Sequence, residues 1–145
     1  MSDLYDSDIL NWSERQGALL RRRAAGELVN DAEMDWPNIA EEIESVGSSQ
    51  LASVRSLLTR ALAHMLKCEA WPASREVAHW RAEAIRFRQE ALDVYSPSMR
   101  QRLDLERIYG RALRQLPDTI DGHPPLPVPT NCPTTLDELL AVDAT

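Results

Sequence analysis

The sequence predicts an all-α protein: a four-helix bundle organised on one long central helix, followed by a Pro-rich C-terminal segment and a short final helix. Three observations carry that prediction. Residues 36–68 keep an apolar position at almost every third or fourth step, from Trp36, Ile39 and Ile43 through Leu51, Val54, Leu58 and Leu62 to Met65. Of nine prolines, five fall between Pro124 and Pro133, so the rest of the chain is nearly free of helix breakers. Glycine numbers only five, which again favours helices over turn-rich sheet structure. At 145 residues the chain can bury a core without staples, and it reads as a single helical domain over 1–145.

Taken in order, Asp6 or Ser7 is positioned to cap a first helix over 8–25, with Ile9, Trp12, Leu19 and Leu20 inward. Arg21, Arg22 and Arg23 complement the negative end of its dipole, and Gly26 stops it. After a polar link, Asp35 caps the central helix over 36–68, and Pro37 falls in its first turn, where a missing N–H costs nothing. Gly47-Ser48-Ser49 is its weak point, because an interior glycine costs about 1 kcal/mol against alanine. Trp71-Pro72 marks the next turn. Ser74 caps a third helix over 75–95, with Val77, Trp80, Ala84, Ile85, Leu92 and Tyr95 inward. Ser96-Pro97 opens a fourth over 97–116. Residues 117–134 are too proline-rich for helix interior or sheet ladder and should run extended. Thr135-Leu136-Asp137-Glu138 is a capping box for a short helix over 135–142, whose leucines need a groove.

The formal net charge of −7 argues against nonspecific nucleic-acid binding, but it is unevenly spread. Residues 1–50 hold eleven acids and four bases, residues 51–116 seven acids and twelve bases, and residues 117–145 five acids and no base. The basic middle is either charge-paired within the fold or a face for an acidic partner or nucleic acid. Two cysteines do not make a disulfide framework, and the opening MSDLYDSD lacks the basic-then-apolar layout of a signal peptide. No apolar run approaches the ~20 residues that span a bilayer. These features predict a cytoplasmic protein with reduced thiols and no membrane partner.

Three clusters are candidates for chemistry. Glu76-Val77-Ala78-His79 is an E-x-x-H whose side chains share a helical face, and His64 is near the same turn. His64, Glu76 and His79 together would suit a divalent metal, the only cofactor the sequence admits. A di-metal bundle, however, needs two such motifs, and the chain has one. Asp35, Glu41, Glu42 and Glu44 form an acidic patch: Glu41 and Glu44 share a face while Glu42 is turned by about 100°. Dipole complementation and ion pairs are its simplest use, and a partner-binding patch the next. His64 and Lys67, three apart, belong to the same interaction patch: buried, they would bond Glu or Asp of a neighbouring helix, the simpler reading, and exposed, they would bind an anion. Cys68 lacks a base-and-orienter arrangement, and no phosphate loop, G-x-S-x-G or dinucleotide fingerprint is present.

Several segments together resemble a known family. They are Tyr5-Asp6 with Trp12, Asp35-Trp36-x-Asn38-x-Ala40-Glu41-Glu42-Ile43-Glu44-Ser45-x-Gly47, His64-Met65-Leu66-Lys67, Trp80-Arg81 and Ser96-Pro97-Ser98, then Cys132-Pro133-x-Thr135-Leu136-x-x-Leu139-Leu140. In order and spacing the chain resembles the bacterial domain-of-unknown-function family numbered twenty-nine. The resemblance implies a small helical protein and carries no established activity. The residues favour a non-enzymatic interaction or accessory protein, self-associating or binding a protein partner, with an antitoxin-like role by analogy. A metal-dependent helical-bundle enzyme and nucleic-acid binding through the basic middle are the alternatives.

Overall fold

The computed structural model describes residues 2–141, with side chains from residue 4 onward. It is all-α, and no strand occurs among the described residues. The elements are α1 (Ser2–Ser7), α2 (Ile9–Ala24), a 3-10 turn at Asp31–Glu33, α3 (Trp36–Ala70), α4 (Val77–Val94), a 3-10 helix at Pro97–Arg102, α5 (Leu105–Arg114) and α6 (Leu136–Leu140). The chain resolves into two compact units, Met1–Ser48 and Ser49–Thr145, and α3 contributes its first part to one and its second to the other.

In the first unit Asp8, rather than the expected Asp6 or Ser7, caps α2 by accepting a bond from the Asn11 N–H at 3.1 Å. Residues 2–7 coil into α1 instead of leading directly into α2. The helix ends as the sequence predicts: Gly26 has φ +84°, and the Gly26 and Glu27 N–H groups bond back to Arg23 and Arg22. That pattern uses glycine's freedom at positive φ to satisfy the last carbonyls. Trp12, Met34 and Ile39 are the buried hydrophobic core, with Tyr5 edge-on to Trp12 at 4.8 Å between ring centroids. Ile9 and Leu20, expected inward, are exposed, and Gln16 takes the inner position instead. Its amide donates to the Glu33 carbonyl and accepts from the Asp35 N–H, linking α2 to the start of α3.

The second part of α3 is the axis of the other unit. Val54, Leu58, Ala61 and Leu62 are essentially inaccessible, and Val54, Leu58 and Leu62 pack with Ala91 of α4, Ile108, Tyr109 and Ala112 of α5, and Leu139 of α6. α4 starts at Val77, two residues after the expected start, because Ser74 bonds the Glu76 N–H within the preceding turn. Its inner side includes Phe87 and Ala91, whereas Ile85 and Leu92 are outward. The expected single helix over 97–116 is two pieces. Asp104 accepts from the Arg107 N–H and so caps a new helix, while Leu103 turns extended into the core. An Asp side chain that can bond the backbone two or three residues on competes with helix continuation.

The proline-rich segment is stitched down, as a chain unable to pair with itself must be. Leu126 N–H bonds the Ala70 carbonyl, Tyr109 donates its hydroxyl to Pro129 O at 2.5 Å, and Glu106 accepts from Cys132 N–H. Asp121-Gly122, both at positive φ, form the tight turn that pairs Ile120 with His123. Thr135 then caps α6, and Leu139 and Leu140 are buried. Arg88 of α4 donates to the Glu138 and Leu139 carbonyls, both at 2.8 Å, satisfying groups the short helix leaves open. Residue 142, the expected end of this helix, lies outside the described residues.

Candidate functional sites

The acidic start of α3 is largely a hydrogen-bond network. One oxygen of Asp35 accepts from Trp12 Nε1 at 2.9 Å and from Asn38 Nδ2 at 2.8 Å. The Asn38 side-chain bond, opposed by partial burial and helped by Trp12 and the Asn38 N–H, holds the Asp35 carboxyl below its ordinary range. Glu42 accepts the Tyr5 hydroxyl at 2.5 Å, and that bond, with the carboxylate charge, pushes the phenol up to about 12. Ser45 bonds back to the Glu42 carbonyl. Glu41 and Glu44 remain exposed. Half of the expected acidic patch is therefore committed to holding α1 and α2 against α3.

The apolar stripe of α3 is interrupted in this first unit. Ile39 is buried, but Ile43 is 68% and Val46 62% exposed, with Trp36 and Gly47 also open to solvent. These four positions recur at helical spacing and so share a face. Among the described residues Ile43, Val46 and Gly47 stay open, while Arg23 lies over the Trp36 ring at 5.7 Å from its centroid. Gly47-Ser48-Ser49 stays helical nonetheless.

In the second unit His64 packs against Phe87, with ring centroids 5.5 Å apart, and its buried Nδ1 has no hydrogen-bond partner. Desolvation, aided by the positive Lys67, lowers its pKa, while Glu83 acts the other way. Lys67 lies over Trp80 at 5.9 Å. His79 also acts on His64 electrostatically, but the carboxylate in their shared field is Glu83, which is bonded to Arg86. Glu76 falls ahead of this arrangement because α4 begins only at Val77. No group of three or more His, Cys, Asp or Glu side chains among the described residues is placed to hold a metal ion, so His64, Glu76 and His79 are not brought together as a ligand set. Burial pushes the Cys68 and Cys132 thiols up, which makes both poor nucleophiles.

One site is absent from the sequence expectations. Between α3 and α5, Arg55, Arg60, Arg111 and Arg114, with Ser56, Thr59 and Gln115, line a cavity of about 530 Å³. A second cavity of about 230 Å³ shares Arg55 and Arg111 and adds Arg102, Arg107 and Asp104. Positions 107, 111 and 114 fall on one helical face, a signal present in the sequence once α5 is placed.

The family described as Domain of unknown function DUF29 matches residues 4–144. The chain belongs to the DUF29 family. A crystal structure of an alpha-helical protein of unknown function from Rhodospirillum rubrum is similar, with 27% identity and a TM-score of 0.69, covering 97% of this chain and 93% of that one. No curated protein matches the chain. Several of the residues that carry the DUF29 resemblance have clear structural work in this chain, whereas Trp36, Glu41, Ile43, Glu44 and Gly47 of the same motif are exposed. Tyr5, Trp12, Asp35, Asn38, Glu42 and Ser45 bond one another, Trp80 is buried, Thr135 caps α6, and Leu139 and Leu140 close the core. No helix among the described residues is long and apolar enough to cross a membrane.

Proposed function

We propose that this DUF29 protein is a non-enzymatic helical interaction module that associates with a second copy of itself through the open stripe of α3. The supporting observation is the imbalance of the first unit. It buries three large apolar side chains, Trp12, Met34 and Ile39, yet leaves Ile43, Val46, Trp36 and Leu28 exposed. A segment of fewer than 50 residues with so small a core gains most from burying further surface in an assembly. Gly47, which has nothing within 4 Å of where a Cβ would stand, allows a second helix to approach closely. An antiparallel crossing centred near Val46 sets Glu44 of one copy opposite Ser48 of the other, so the exposed acids avoid one another. An accessory role of the antitoxin kind requires such a surface and no catalytic group.

Light scattering coupled to size exclusion tests the assembly. The wild-type chain should run as a dimer in the micromolar range, and Ile43→Lys/Val46→Lys as a monomer with unchanged helicity. A wild-type monomer at every concentration, or a dimer indifferent to these substitutions, overturns the proposal.

A further inference from the structure

The arginine-lined cavities between α3 and α5 are an unusual feature for a chain of net charge −7. Six of the twelve bases in residues 51–116 line them: Arg55, Arg60, Arg102, Arg107, Arg111 and Arg114. The ion pairs among described residues use other arginines, so none of the six has a carboxylate partner. Among the described residues, no acidic side chain lines the larger cavity. In the smaller one Asp104 is the one carboxylate among the described lining residues, and it is engaged in capping α5 through the Arg107 N–H.

Clustering like charges costs stability unless an anion answers them. The guanidinium fork, permanently charged and planar, matches phosphate oxygens two at a time. Arg55 is held in place by donating to the Arg102 carbonyl at 3.0 Å, and Arg60 lies over the Phe87 ring at 5.7 Å. Both are therefore partly pre-ordered, which reduces the entropy lost on binding. Because the two cavities share Arg55 and Arg111, an occupant with more than one anionic group can engage both. No aromatic ring lines either one, so a base would find nothing to stack on.

We infer that this groove binds a compact polyphosphorylated anion, recognised through its phosphate groups. Recognition needs charge density and several phosphates in a short span. It makes no use of a nucleobase, which separates it from binding a single nucleic-acid strand.

Calorimetric titration of the full chain at low salt, with tripolyphosphate as the probe, tests the inference. Tripolyphosphate should bind more tightly than orthophosphate and weaken as salt is added. The variant Arg111→Gln/Arg114→Gln, at two exposed positions, should lose at least about tenfold in affinity. Arg22→Gln/Arg23→Gln removes the same charge from the first unit and should leave the affinity unchanged. Thermal melts confirm that both variants fold, and Arg60→Gln supplies an independent loss at the same cavity. No tripolyphosphate binding, or equal weakening by both double variants, overturns the inference. Tighter binding of a short single-stranded oligonucleotide than of tripolyphosphate also overturns it, in favour of nucleic acid.

Discussion

Replacing Asp35 by alanine asks whether the residues at the start of α3 serve the fold or a partner. The carboxylate accepts from Trp12 Nε1 and Asn38 Nδ2, and its carbonyl receives the Ile39 N–H that opens the helix. Losing an acidic cap costs about 1 kcal/mol. Trp12 is only 4% exposed, so its indole N–H would be left without an acceptor, for a further ~1–3 kcal/mol. Together these come to roughly 2–4 kcal/mol, a large share of any small unit's stability. Hydrogen exchange read by mass spectrometry resolves where the loss falls. Protection over α2 and the first turns of α3 should drop by roughly 30- to 700-fold, at tenfold per 1.4 kcal/mol. Protection over residues 54–66 should hold. Asp35→Asn, which keeps an acceptor oxygen, should lose much less. Unchanged protection in Asp35→Ala would refute the reasoning, and would return the acidic start of α3 to the status of a recognition surface.

Two further predictions concern the second unit. Leu139→Ala empties a site that is 1% exposed and should destabilise the fold by about 2–5 kcal/mol in denaturant titration; a loss confined to exchange of residues 126–141 would mean that α6 docks without supporting the core. His64 should titrate below its ordinary 6.5 in a proton NMR titration, since burial disfavours its cation. The unfolded chain then binds more protons at low pH, so stability should fall as pH drops through 6.5 toward the folded value. His64→Leu should flatten that slope, and an unshifted His64 resonance would remove the explanation.

Much of this architecture is legible in the residues themselves, because its signals are local. The Asp35 cap, the Gly26 stop, the Thr135 cap of α6 and the axis Val54–Leu62 each follow from side chains acting within a turn or two. Tertiary competition decided the rest. Asp104 diverts the chain into a fresh cap where periodicity alone continues one helix across 97–116. Ile43 and Val46 satisfy the apolar period of α3 but stay exposed among the described residues, since a period reports which face is apolar and not what covers it. The acidic patch looked like a surface because charge is conspicuous in a sequence, whereas the phenol and indole that occupy two of its carboxylates stand 37 and 23 residues away. The arginine groove needed α3 and α5 side by side, so the sequence offers only the net positive middle segment and the shared face of Arg107, Arg111 and Arg114 as signals for it.

That distribution bears on where a role for this DUF29 chain is to be sought. Many of the side chains that carry its family resemblance are occupied in hydrogen bonds and packing: Trp12 with Asp35, Tyr5 with Glu42, Trp80 under Lys67, Leu139 in the core. A group already donating or accepting inside the fold has little left to offer a substrate. That part of the family motif accounts for the shape, while Ile43 and Gly47 of the same motif stay open to solvent, and specificity is to be sought among such open groups. Two such sets stand out among the described residues: the exposed stripe of Ile43, Val46 and Gly47, and the arginines around Arg111, which form no ion pair with a described carboxylate. They call for different chemistry, one for apolar contact and the other for anionic charge. Substitutions at one should leave the other's binding intact, because additivity holds for separate sites with no shared partners. Ile43→Lys/Val46→Lys should thus abolish association while tripolyphosphate titration stays as in the wild type. A coupled loss would mean that a single assembly-dependent site underlies both.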